Sequence, residues 1–175
     1  ECEAGAIKNF PAVTMGSVLG NMLNGGLTVD YISGYLAPTE ETFINNDWNL
    51  AWTSEYIMNG EITMEEEGET MTITIDNSPM LMNWQTVATG ESVTVPAGTY
   101  TNTIKVTRDM TMNVKLDMGL MQLDSVLTLK STHWFEPYIG MVRMDIDEVN
   151  VEMQGMTFPV TLNEKMELIE IRPAE

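Results

Sequence analysis

From Ile104 to Met118 the chain alternates: Ile104, Val106, Met110, Met112, Val114, Leu116 and Met118 share one parity, and Lys105, Thr107, Asp109, Thr111, Asn113, Lys115 and Asp117 share the other. A period of two kept for so long demands a β-strand with one dry and one wet face. At roughly 3.4 Å per residue such a strand reaches about 50 Å, well past the usual 3 to 10 residues. It must bend, bulge or wrap, so a flat sheet is not expected. Arg108 is the single charge in the apolar row.

The same period recurs on either side. Leu50, Trp52, Tyr56 and Met58 alternate with Thr53, Glu55 and Asn59, and Ile62 and Met64 continue the pattern. The acidic EEEGE of residues 65–69 then turns the chain, and Met71, Ile73 and Ile75 return, which predicts a hairpin with a charged tip that protects an edge. Asn77-Ser78-Pro79 reads as a break before Met80, Met82 and Trp84. Proline fixes φ and glycine permits φ above zero, so Pro96 and Gly98 set a tight corner ahead of the long strand, and Pro137 and Gly140 set another before Val142. Met121, Leu123, Leu127 and Leu129 return after a turn at Gly119. Val142, Met144 and Ile146 lie on one parity and Val149, Val151 and Met153 on the other; a slip between Asp147 and Glu148 is what a β-bulge produces. Phe158, Val160, Leu162, Met166 and Leu168 finish the sheet.

Near the start, Phe10 to Asn24 places Val18, Leu19, Met22 and Leu23 at helical spacing, and Gly25-Gly26 falls where a left-handed cap would. Leu27 to Leu36 reads as either a strand or a second short helix. The expected fold is mainly β: a curved antiparallel sheet or half-barrel with one or two short N-terminal helices. It forms a single domain over 1–175, with the helical segment at about 10–36 and the sheet at about 48–172.

Charge narrows the function. Against 8 basic residues stand 26 acidic ones, a formal net charge of -18, which repels a phosphate backbone and excludes nucleic acid as a partner. No stretch approaches the roughly 20 apolar residues that span a bilayer. The one cysteine, Cys2, cannot form an intrachain disulfide, and its place is that of a lipid-modified cysteine after removal of a signal peptide. The expectation is an exported protein of the periplasm or cell surface, held at a membrane only through a lipid anchor at Cys2.

Val95-Pro96-Ala97-Gly98-Thr99-Tyr100, Ile104-Lys105-Val106 and Trp134-Phe135-Glu136-Pro137-Tyr138-Ile139-Gly140-Met141-Val142-Arg143 together form a pattern. It resembles a broad group of bacterial envelope and lipoprotein-like domains that carry V-P-A-G-T-aromatic followed by aromatic-aromatic-x-P-x-apolar-Gly-x-Val-basic. The resemblance covers Val93 to Arg143 and implies a curved antiparallel sheet related in shape to the half-barrels that carry lipoproteins or lipids.

Candidate chemistry is sparse. His133 is the only histidine, with no serine or cysteine elbow beside it in sequence, and a structural or surface role is the reading taken. Asp145, Asp147, Glu148 and Asn150 crowd oxygen ligands together, but the spacing lacks that of a calcium loop and alternate strand residues face solvent, so no metal site is assigned. The 16 methionines come in pairs such as Met80/Met82, Met110/Met112, Met118/Met121, Met141/Met144 and Met153/Met156. Thioethers suit Cu(I), yet these pairs fall among Val, Ile and Leu, where methionine fills irregular space and adapts to varied shapes.

The leading reading is therefore a non-catalytic protein, with no cofactor, that binds an apolar or lipid-like ligand in the concave face of its sheet. Met110, Met112, Arg108, Trp84, Tyr100 and Trp134 are the candidate ligand-binding residues. Arg108 would meet an acidic headgroup, unless it snorkels to an edge or pairs with a carboxylate. The alternatives are an envelope protein-protein association module with a filled core and an enzyme of unknown type.

Overall fold

The computed structural model describes residues 2–3, 6–7, 27–35, 37, 39, 41–42, 49–66, 69–117, 122–160 and 165–171. A small antiparallel pair joins β1 (Cys2–Glu3) to β2 (Ala6–Ile7). Everything else is one open antiparallel sheet built from β3 (Leu27–Gly34), β4 (Ala51–Glu66), β5 (Glu69–Val95), β6 (Gly98–Asp117), β7 (Gln122–Glu136), β8 (Gly140–Met153), β9 (Met156–Val160) and β10 (Lys165–Glu167). From β3 to β8 each strand pairs with the next; β9 and β10 then share the outer edge of β8, at Val149–Met153 and Arg143–Asp145 respectively. Mainly β and antiparallel is thus what the alternation in the sequence produces.

Register turns the alternation into a core. Trp52, Trp84, Arg108, Ser131 and Ile146 form one cross-strand row over β4 to β8. The neighbouring rows are Ser54, Met82, Met110, Leu129 and Val149, and then Tyr56, Met80, Met112, Leu127 and Val151. On the other side of the tryptophan row lie Thr86, Val106, His133, Met144 and Met166. Every described member of the apolar row on β6 through Val114 is buried, whereas Asp109, Thr111, Asn113 and Lys115 on the opposite face are exposed.

Strands of 27 and 20 residues stay together by bending at bulges. The Asn77-Ser78-Pro79 stretch, expected as a break, lies inside β5. Between the Thr74–Lys115 and Met80–Met112 pairs β5 uses more residues than β6, so the extra backbone bulges out. Asn77 takes φ +46 and donates its backbone N–H to Asn59 Oδ1 at 2.6 Å, and Pro79, which has no N–H to give, sits where the ladder is already interrupted. The slip expected at Asp147 is present: Lys130 pairs with Glu148 and Ser131 with Ile146, leaving Asp147 as the added residue and both Ile146 and Val149 buried.

At one end the sheet curls. Val95 pairs with Gly98 around a two-residue Pro96-Ala97 corner, with Gly98 at φ +145, where a side chain would be strained. Ala97 N–H donates to the Leu168 carbonyl at 3.0 Å, and Leu168 N–H to the Val142 carbonyl at 2.9 Å, which ties the corner to the outer edge of β8. Val93, Val95, Trp134 and Val142 make a second buried cluster there, flanked by Tyr100 and Leu168. Trp134 lies on the opposite face of β7 from His133, because consecutive strand residues alternate. The expectation that Tyr100, Trp134 and Phe135 together close one end is therefore split: Phe135 packs on the main core and the other two on this second cluster.

Two further expectations change. Leu27–Gly34 is a strand of the sheet, so the sheet begins well before residue 48 and the helical segment does not extend to 36. The helix expected over Phe10–Asn24 and the turn at Gly119 lie outside the described residues. If parity carries the fold, Met110→Ala should cost about 2–5 kcal/mol in urea unfolding. Thr111→Ala, one residue on, should stay within about 0.5 kcal/mol.

Candidate functional site

The apolar face is interrupted at one place. Arg108, centred on β6, is 3% exposed, with its guanidinium 5.4 Å from the centre of the Trp84 ring. Trp84 is fixed on its other flanks: it stacks on Trp52 at 5.8 Å and 3° between planes, and its indole N–H donates to Ser54 Oγ at 3.1 Å. Ser131, directly opposite Arg108 on β7, accepts from Arg108 Nε at 3.1 Å. Two residues on, His133 Nε2 lies 2.9 Å from Ser131 Oγ, and His133 Nδ1 lies 3.4 Å from Met141 Sδ. The imidazole is wedged between Trp84 at 5.2 Å and Phe135 at 6.0 Å.

These contacts assign the protons. With Arg108 donating to Ser131, the serine hydroxyl is free to donate to His133 Nε2, and the remaining N–H at Nδ1 points to the weak thioether acceptor. The result is one directed chain, Arg108 to Ser131 to His133 to Met141, that requires a neutral imidazole. Burial pushes the His133 pKa well below its ordinary value, and the Arg108 charge pushes it the same way. Burial also lowers Arg108, to about 10, which still leaves it charged at neutral pH.

No carboxylate compensates that charge among the described residues. The described ion pairs are Lys105–Glu91, Lys130–Glu148, Arg143–Asp145 and Lys165–Glu167, all at least partly exposed. The oxygen-rich stretch on β8 is consumed in them: Arg143 holds Asp145 through two bonds at 2.8 and 2.5 Å, Thr132 donates to Asp147 at 2.7 Å, and Lys130 and Asn150 both reach Glu148. Among the described residues no group of three or more His, Cys, Asp and Glu is placed to hold a metal. Cu(I) on His133 and Met141 would set a second cation beside an uncompensated guanidinium, an arrangement the local field opposes.

Of the residues singled out in the sequence, Trp84, Arg108, Met110 and Met112 share this face. Tyr100 and Trp134 do not join them. Trp134 instead sits between its cross-strand neighbours Lys105 and Arg143, at 5.3 and 5.0 Å from its ring centre, and donates its indole N–H to Glu91 at 3.1 Å. Cys2 is the first residue of β1, paired with Ile7. Ser131 was missed in the sequence, and His133, read there as structural or surface, is buried; both occupy the parity of Leu127 and Leu129, where a polar residue is out of place.

Two clefts open on the surface. One, of about 170 Å³, lies on the β8–β10 seam between Met141, Val142, Met166 and Leu168. Met141 therefore stands between this surface cleft and His133. The other, of about 460 Å³, is open, of mixed lining, and lies beside the bulge at Asn59–Glu61 and Thr74–Asp76. Comparison of the chain with protein families, curated proteins and solved structures found no match.

A depressed histidine pKa has a defined sign. The folded state releases the proton that the unfolded chain still binds, so below about pH 6.5 stability falls with falling pH, by up to about 1.4 kcal/mol per pH unit. As the sole histidine, His133 gives an unambiguous NMR titration, which should show a midpoint below the ordinary value. His133→Gln should lose stability less steeply than the parent as the pH falls below 6.5.

Proposed function

We propose that this chain is a non-catalytic binding protein of the bacterial envelope that holds an apolar or lipid-like molecule against the dry face of its curved sheet. The observation that carries the reading is the lining of that face. Met58, Met80, Met82, Met110 and Met112 are all 2% exposed or less and lie together on β4, β5 and β6, and Met144, equally buried, lies on the same face at β8. Unbranched, polarizable thioether chains repack around guests of different shape at little cost, and such surfaces are over-used where a protein accepts varied apolar partners. Export and anchoring through Cys2 belong to the same proposal and rest on the resemblance of the Val93–Arg143 segment.

The Ser131–His133 pair weighs against catalysis when its surroundings are counted. Nδ1 faces a thioether where a catalytic histidine needs a carboxylate, the depressed pKa makes a weak base, and a lone pair of the Ser131 hydroxyl is taken by Arg108. A second reading, association with an envelope protein, is favoured by the C-terminal edge. Among the described residues β9 pairs only with β8, and Met156, Phe158, Ile169 and Ile171 are exposed there.

N-phenylnaphthylamine, a neutral apolar probe, should gain fluorescence on the protein and be displaced by an added alkane-chain compound. The probe should also raise the unfolding midpoint, since a ligand at 100 times its Kd stabilises by about 2.7 kcal/mol. A chain that neither enhances the probe nor carries any co-purifying small molecule in native mass spectrometry overturns the binding reading. If concentration-dependent self-association or capture of a partner is then abolished by Phe158→Ser, the edge is the functional surface.

A further inference from the structure

The hydrogen-bonded chain that begins at buried Arg108 ends on the one member that reaches the surface. Arg108, Ser131 and His133 are each 3% exposed or less, whereas Met141 is half-buried and lines the apolar cleft of about 170 Å³ on the β8–β10 seam. Its sulfur lies 3.4 Å from His133 Nδ1. A slip in register puts it there. Trp134 pairs with Arg143 but Phe135 with Met141, so Val142 is the added residue of β8. Val142 joins the second cluster, and Met141 takes the face of Phe135 and His133.

A thioether is a weak acceptor, and a buried N–H that ends on one is poorly satisfied. Thioether sulfur is also a group that two-electron oxidation changes, because the sulfoxide is polar, chiral and carries an oxygen. In a core that oxygen is disruptive when nothing donates to it. At Met141 the donor is already in place. Met58, Met80, Met82, Met110, Met112 and Met144, at 2% exposure or less, are shielded from solvent.

We propose that Met141 is an oxidation site, converted by a neutral peroxide to the sulfoxide, whose oxygen then accepts the His133 Nδ1 hydrogen. A sulfur lone pair attacks one peroxide oxygen, and the S–O bond forms as the O–O bond breaks. The departing hydroxide takes the proton left on the transferred oxygen, so sulfur loses two electrons, the peroxide is reduced and water leaves. The oxidant is neutral because an exterior of net charge -18 repels hypochlorite and other anions but not hydrogen peroxide. The His133 N–H covers one side of the sulfur, so attack from the cleft takes the other side and gives one sulfoxide epimer. Rotation about Cγ–Sδ then carries the oxygen to Nδ1 and the methyl group into the cleft beside Val142, Met166 and Leu168. The chain from Arg108 keeps its direction and its neutral imidazole, and gains a strong acceptor at its surface end.

Treating the folded full chain with hydrogen peroxide and mapping its peptides by mass spectrometry tests this. Met141 should gain one oxygen, as should exposed Met156, before any of the fully buried methionines. The sulfoxide at Met141 should be a single epimer, reversed by only one of the two epimer-specific methionine sulfoxide reductases. In NMR the His133 Nδ1 hydrogen should move downfield and exchange more slowly, and the reductase should restore both. Met141→Gln, which supplies an amide oxygen at the same place, should give that shift without peroxide. Met141→Leu should abolish the response while Met156 still oxidises. The proposal is overturned if Met141 stays reduced when Met156 is fully oxidised, if both epimers form equally, or if the sulfoxide leaves the His133 resonances unmoved. A marked fall in the urea midpoint of the oxidised parent relative to oxidised Met141→Leu also overturns it, because the sulfoxide oxygen would then be buried without a donor.

Discussion

One constraint governs this molecule: a single sheet face must stay out of water across at least five strands at once. In a β-sheet a one-residue slip in any strand sends its whole apolar set to the wet side. The register therefore cannot drift, and each bulge has to return the strand to the same parity or change which residues are apolar after it. Both solutions are present. On β8 the added Asp147 is matched by a sequence in which the apolar residues change parity, so Ile146 and Val149 are both buried. On β5 the Asn77–Pro79 bulge ends with Ser78 and Met80 buried on the same parity, and its geometry is set by the positive φ of Asn77 and the bond to Asn59.

This constraint also marks the limit of what the sequence reveals. Alternation is a local property, and it identified β4, β6, β7 and β8, the Asp147 bulge and the Pro96–Gly98 corner from residues within one or two strands. Asn-Ser-Pro looks the same in a loop and in a bulge, and only the partners on β4 and β6 decide between them. Leu27–Gly34 was ambiguous for a similar reason, since its strand character comes from pairing with β4. The helix expected over Phe10–Asn24 falls outside the described residues.

For the site, the sequence showed that Arg108 stood in an apolar row but not what faced it. Tyr100 and Trp134 were grouped with it because aromatics near a corner look alike in sequence. Whether an aromatic joins one face or the other depends on parity, and Trp134 and Phe135, being consecutive, had to part. The informative signal was the polar interruption in β7. Ser131 and His133 occupy core parity opposite Arg108 and Val106, so two apolar rows break at the same register position on adjacent strands. Coincident breaks on neighbouring strands are the mark of a buried polar cluster, and reading them requires knowing which strands are neighbours.

The distribution of charge gives that cluster its meaning. The carboxylate residues whose burial is described are at least partly exposed, although Glu136 Oε2 is itself buried, while the guanidinium of Arg108 lies against tryptophan and serine. A chain of net charge -18 has carboxylates to spare, and a single Asp or Glu at Leu129 or Ile146, beside Arg108 in the rows, would have neutralised it. Neither position carries one, and the side-chain hydrogen bond shown for Arg108 is the one to Ser131. The acidic exterior meanwhile repels small free anions, an effect that salt screens within about 10 Å.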